Sequence, residues 1–233
     1  MKANVIDLEL LTDNALYGTC YEIAKKHKIK YILGGQNIAT EGIQMPENWN
    51  WHNKYDGTNI RAIARKYSVK LKTFPLITLV NLIMYSVLNK IKWVDPLNMI
   101  NFSKNEALST LTNEYGYVPY DRKHVESFFT NFYQNVILPE KFNVDKRKLH
   151  LSDLIISGEL SREEAVRKLN QGFFNSNNER QEEVNYFVKK MKITNSEFEQ
   201  YIMDSPVEHA VYRNEKKLWD CVRLLNRAKK RIQ

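Results

Sequence analysis

Lys30-Tyr31-Ile32-Leu33-Gly34-Gly35-Gln36-Asn37-Ile38-Ala39-Thr40-Glu41-Gly42 is the stretch on which the fold turns. A short apolar run, residues 29–33, ends on two glycines. Such a run, closed by a turn signal, predicts a buried strand. An unbroken rather than alternating run is the pattern of a parallel sheet covered on both faces. Glycines at the carboxyl end of a strand let a ligand approach the backbone, and open α/β sheets bind ligands there. Asn37 brings amide donors and an acceptor suited to a base or a ribose, and Glu41 a carboxylate suited to Mg²⁺ or a hydroxyl. The pattern is neither the dinucleotide Gly-x-Gly-x-x-Gly fingerprint nor a Walker loop.

Upstream, residues 13–28 read as a helix with Leu16, Cys20, Ile23 and Ala24 as its apolar positions. Thr12 or Asp13 suits its N-cap, and Lys25, Lys26, His27 and Lys28 complement the dipole at its end. Downstream, residues 36–55 lack periodicity and contain Pro46, Trp49 and Trp51; a loop this long in a compact domain is usually functional or mobile. Residues 58–66 predict a short basic helix, and residues 70–74 a second strand ended by Pro75. The remainder predicts helices over 75–90, 103–114, 123–138, 146–157, 161–170, 179–191, 195–203 and 214–231. Ser103 with Glu106, and Ser161 with Glu164, carry the capping-box spacing. The expected fold class is therefore α/β (partial Rossmann-like) at the N-terminus, followed by a mostly α-helical region. Asp95-Pro96 marks the change, giving domains 1–100 and 101–233.

Composition narrows the function classes. No apolar run is long enough to cross a bilayer, and Met1 leads into Asp7 and Glu9 rather than a basic-then-apolar leader. The two cysteines, Cys20 and Cys221, make no metal or redox spacing, and Cys20 falls on an apolar helix face. A reducing, cytoplasmic compartment is expected. The net charge of +8 favours anionic partners: nucleic acid, a membrane surface or phosphorylated small molecules. Its densest clusters are Lys146-Arg147-Lys148 and residues 227–231, and the bland reading of both is a solvated helix end.

Two further constellations carry chemistry. In Lys123-His124-Val125-Glu126-Ser127-Phe128-Phe129-Thr130, extended to Gln134, helical spacing puts Lys123, Ser127, Thr130 and Gln134 on one polar face. Phe128, Phe132 and Val136 mark the apolar face, so an ordinary amphipathic helix explains the pattern equally well. In Asp145-Lys146-Arg147-Lys148-Leu149-His150-Leu151-Ser152, a guanidinium suited to phosphate or carboxylate lies near an imidazole that titrates close to neutrality.

Taken in order, these stretches resemble the N-acetyl sugar amidotransferase family of lipopolysaccharide O-antigen and flagellar-glycan biosynthesis. The matching segments also include Thr12-Asp13-Asn14-Ala15, Lys70-Leu71-Lys72-Thr73-Phe74-Pro75 and the lead-in Leu138-Pro139-Glu140-Lys141-Phe142-Asn143-Val144. The resemblance runs from about Ile6 to about Phe198. It implies an adenine-nucleotide α-hydrolase-like fold with a pyrophosphate loop (a PP-loop ATPase), and a transferase that turns an acetamido group into an acetamidino group. ATP and Mg²⁺ would activate the amide oxygen, and a glutaminase subunit would supply ammonia. By position, Thr12, Asp13, Gly34, Gly35, Asn37 and Thr40 look like the ATP side, with Glu41 as a catalytic residue and Mg²⁺ ligand. Lys123, Glu126 and Ser152 look like contacts to the N-acetylated sugar, with His124, Arg147 and His150 in catalysis.

The chain departs from the family in three ways. The Ser-Gly-Gly-x-Asp-Ser loop that should precede these stretches is absent. Asn14 stands where the family has His, and Tyr120-Asp121-Arg122 stands where glycines are usual. The expectation is a truncated, C-terminal portion that is inactive without an upstream half-chain. The α/β portion is short of strands, and an upstream half-chain or a homodimer would cover the exposed sheet edge. The alternatives are a non-catalytic remnant or scaffold that docks the glutaminase, and a basic nucleic-acid-binding protein. The diffuse spread of charge weighs against the last.

Overall fold

The computed structural model describes residues 1–120, 127–174 and 176–232, the last seven by backbone alone. In chain order the elements are α1 Leu10–Lys26, β1 Tyr31–Leu33, α2 Ile38–Glu41, α3 Gly57–Lys66, α4 Leu79–Ile83, β2 Lys92–Val94, α5 Lys104–Tyr115, α6 Phe128–Phe132, α7 Leu138–Phe142, α8 Arg147–Ile156, α9 Arg162–Asn170, α10 Asn177–Met191, α11 Asn195–Met203 and α12 Lys216–Ile232. A π-helical turn, Met84–Leu88, prolongs α4, and another, Tyr133–Ile137, joins α6 to α7. The chain is mostly helical. It forms two compact units: Met1–Leu33, Asn50–Val94 and Val207–Gln233 make the first, and Gly34–Trp49 and Asp95–Pro206 the second.

In the first unit β1 and β2 pair in parallel, Ile32 opposite Trp93 and Leu33 opposite Val94; among the described residues this is the only sheet. Ile32 and Trp93 pack with Tyr21, Ala24, Ile77, Tyr85 and Ile91. Gly18 lets α1 approach the backbone of Pro75 so closely that a Cβ would stand 2.1 Å from its carbonyl oxygen. A three-residue strand places its first and third side chains on the face opposite its second. Tyr31 and Leu33 accordingly lie 60% and 71% exposed, so the sheet is parallel, as expected, but open on one face rather than buried.

Three local expectations are corrected here. Residues 70–74 do not form a strand; β2 does, because Lys92 N–H donates to Lys30 O at 2.8 Å and starts the ladder there. The helix expected from Pro75 begins at Leu79, since Thr78 and Asn81 form a reciprocal capping box. α1 starts at Leu10 with Glu9 at its N-cap and no side-chain cap, so Thr12 and Asp13 sit inside the first turns.

The second unit is built on aromatic packing. Phe132, Tyr133, Val136, Ile137 and Leu138 are fully buried along α6, the π turn and α7. The Phe132 and Phe187 rings stack at 4.2 Å, and Phe198 closes on Phe187 at 5.7 Å. Ser127 caps α6, which starts at Phe128; the part of the expected helix over residues 123–126 lies outside the described residues. Buried Lys141 donates to Tyr201 O and, at 2.6 Å, to Asp204 O, satisfying carbonyls left open at the end of α11. Burial holds its ammonium below the usual lysine range against the raising effect of Asp204. Ser103 and Ser161 cap α5 and α9 as their spacing predicts, and Thr194 with Glu197 completes a full box on α11.

Candidate functional site

The candidate site lies wholly within the second unit, around the turn after Gly34-Gly35. Asn37 caps α2: its Oδ1 accepts from Thr40 N at 2.9 Å and from Thr40 Oγ1 at 3.1 Å. The turn is pinned from two directions. Ile38 N–H donates to Asn98 Oδ1 at 2.8 Å, and Ile43 N–H donates to Asp153 Oδ1 at 2.8 Å. Asp153 is buried on α8, and α2 packs on that helix. These groups line an open cavity of about 500 Å³. The turn contributes Asn37, Ile38, Ala39, Gly42 and Ile43; α8 and the residue after it contribute Asp153, Ile156 and Ser157. The segment between β2 and α5 contributes Leu97, Asn98, Ile100, Asn101 and Phe102.

An apolar lining with a few convergent polar groups is the usual make-up of a small-molecule pocket. Here the polar groups are three side-chain amides, a carboxylate and a hydroxyl, with no lysine or arginine in the lining. Such a set suits a neutral ligand rich in amide and hydroxyl groups rather than a bare phosphate.

The expected site residues fall into three groups. Gly34, Gly35, Asn37, Thr40 and Glu41 all belong to the turn, but only Asn37 lines the cavity. Arg147, His150 and Ser152 lie on α8, the helix packed against α2, yet in its first turns and outside the lining. Arg147 binds Asp145 through Nε and Nη2, donates to Gly172 O at 2.6 Å, and lies 3.8 Å over the Phe173 ring. Ser152 Oγ donates to Lys148 O at 2.6 Å. Lys123, His124 and Glu126 lie outside the described residues. Thr12 and Asp13 belong to the first unit: Thr12 Oγ1 donates to Glu9 O at 3.2 Å, and Asp13 pairs with Lys54 at 2.8 Å.

Reading the sequence missed Asn98, Asn101 and Asp153. A usable signal existed for Asp153. Leu149, Asp153 and Ile156 share one helical stripe, so a carboxylate interrupts an otherwise apolar face.

Residues 126–226 match the family model described as LPS biosynthesis protein WbpG-like, C-terminal domain. That stretch is less than half of the chain, and it contains the Asp153–Ser157 wall of the cavity. The likeness supports kinship with an LPS-biosynthesis family. No curated protein and no solved structure matches the chain.

The first unit holds a separate buried polar network, also unseen in the sequence. Lys54 bridges Asp7 at 2.7 Å and Asp13 at 2.8 Å; burial opposes its charge, but the two carboxylates outweigh that and hold its ammonium above the usual range. Asp56 accepts from Asn59 N at 2.9 Å and Glu215 N at 2.8 Å, with His52 Nε2 at 2.9 Å. Burial works to raise the Asp56 carboxyl, but these hydrogen bonds prevail and hold it below the usual range. His209 stacks on His52 at 4.5 Å. Its Nδ1 donates to Asn59 Oδ1 at 2.8 Å and its Nε2 accepts from Asp7 N at 3.4 Å, an arrangement that needs a neutral ring. Burial first, then the neighbouring His52 and Lys54, pushes His209 down to about 3. Asn14 anchors Ile77 through both its N–H (3.1 Å) and its C=O (2.9 Å) and also reaches Lys54 O at 2.8 Å.

Proposed function

We propose that the chain carries the sugar-binding part of an ATP-dependent N-acetyl sugar amidotransferase in lipopolysaccharide biosynthesis. The observation that supports it most is the amide-lined cavity joining the Gly34–Ile43 turn to α8. Asn37, Asn98 and Asn101 offer hydrogen bonds to an acetamido group and to ring hydroxyls. Ile38, Ile100, Phe102 and Ile156 offer apolar surface to the acetyl methyl and a sugar face. Asp153 positions the turn through Ile43 rather than reacting itself.

In this reading ATP and Mg²⁺ would approach the turn at Gly34-Gly35, outside the cation-free lining of the cavity. A Cβ at Gly35 would meet nothing within 4 Å, so the backbone there is open to approach. Glu41 is exposed, and among the described residues no cluster of three His, Cys, Asp or Glu side chains stands ready for a metal. Mg²⁺ needs none, since it takes most ligands from phosphate and water; Glu41 would hold it together with the nucleotide. ATP, when bound, would supply the adenylyl group with loss of pyrophosphate, so that AMP carries off the amide oxygen when ammonia from a glutaminase bonds to the carbon. His124 and His150 remain the proposed proton carriers and Arg147 the proposed charge stabiliser.

The chain's pyrophosphate grip would come from an upstream segment. The bare Tyr31/Leu33 face supports this, because parallel sheets are ordinarily covered on both sides. The test is AMP release by the chain co-expressed with a segment bearing a Ser-Gly-Gly-x-Asp-Ser loop. Release should require both ammonia and an N-acetylated sugar. Asn101→Ala should raise the sugar KM about threefold to tenfold, the size expected from losing one hydrogen bond, and leave the ATP KM unchanged. Glu41→Ala should do the reverse. AMP release indifferent to the acetyl group would overturn the proposal.

A further inference from the structure

The C-terminal helix α12 takes no part in the proposed chemistry. α12 docks on the first unit through Trp219, whose ring lies 6.0 Å from Tyr55, while Val222 is half-buried. Leu218, Leu224 and Leu225 point away, at 53%, 63% and 65% exposure, with Cys221 exposed among them. Spacings of three, four and seven place Leu218, Cys221 and Leu225 on one stripe, and in sequence that spacing continues through Ala228 and Ile232. Around this stripe the helix carries seven Lys and Arg against the single Asp220. Lys216, Lys217 and Arg223 are exposed beside the leucines.

We propose that α12 is an interfacial helix that lies on an anionic phospholipid bilayer. A strongly basic helix with a separate exposed apolar face matches the surface of such a membrane in both charge and polarity. Charge complementarity selects this occupant over the alternatives. A second copy of the helix would bring seven cations against seven with one carboxylate on each side. Nucleic acid would satisfy the cations and leave the leucine stripe in water. No helix among the described residues is long and apolar enough to cross a membrane, so the contact is peripheral.

The test is flotation of the full chain with vesicles of phosphatidylcholine alone and of phosphatidylcholine mixed with phosphatidylglycerol. The chain should float with the anionic vesicles and not with the neutral ones. The paired change Leu218→Glu, Leu225→Glu and, separately, Lys216→Glu, Lys217→Glu should each weaken flotation by roughly tenfold or more, since each removes one of the two contributions. All four positions are exposed, so circular dichroism should match the parent. Three results would overturn the proposal: no flotation with anionic vesicles at low salt, leucine variants that float like the parent, or duplex DNA displacing the chain from the vesicles completely.

Discussion

Each of the two units is held together internally by its own kind of interaction. In the first, side chains from distant segments meet as a buried polar network: Asp56 reaches the backbone of Glu215, Asn59 meets His209, and Asn14 holds Ile77. In the second, α6 and α10 meet through stacked rings, with Phe187 at the centre. A buried polar network fixes one arrangement and is costly to leave half-made. An apolar core tolerates loss of a contact in proportion to the volume removed. The first unit should therefore be brittle and pH-sensitive, and the second merely graded.

Removing Asp56 should show the largest effect. Asp56→Ala orphans two backbone N–H groups and His52, and should cost on the order of 4 kcal/mol in urea unfolding. Phe187→Ala should cost about 3 kcal/mol, and that loss should not change with pH. A pH-dependent loss at Phe187 would erase the distinction between the units.

Acid should act next. His209 sits at about 3 in the folded chain and near its ordinary 6.5 when unfolded. Between those values the unfolded chain binds the extra proton, so stability is complete above the unfolded value and falls as pH drops through it. The loss should be on the order of 2 kcal/mol from about pH 6.5 to about pH 5. Asp56, held low, adds a loss of the same sign at more acid pH. In His209→Gln the slope above about pH 5 should flatten, as followed by urea titration across pH. The smallest effect should come from Thr194→Ala, which removes one capping hydrogen bond from α11 and should cost about 1 kcal/mol.

This contrast also explains what the sequence disclosed. The helices over α5 and α8 to α12 follow from local signals: apolar periodicity, Ser and Thr caps, and left-handed residues such as Gly116 and Lys192 at their ends. The first unit's interior is non-local. Nothing near Asp56 in sequence announces Glu215, and β2 was hidden because a three-residue strand is too short to display an alternating pattern and its pairing with β1 is non-local. The strand wrongly expected at residues 70–74 rested on local composition alone, while the partner that pairs with β1 is Lys92–Val94. At the candidate site, the glycine-bearing turn was legible, because glycines closing an apolar run are a local signal; its packing on α8 is tertiary and was not. Asn98 and Asn101 were not, since an asparagine in a connecting segment reads only as a turn.

The most direct test is ligand-observed NMR of the intact chain with N-acetylamino sugars, their nucleotide conjugates and the matched free-amine sugars. The proposed pocket predicts transfer to the acetyl methyl, lost in Asn101→Ala and in Ile156→Asp, and no transfer to the free amines. Equal signals from acetylated and free-amine sugars, or signals untouched by both substitutions, would contradict it.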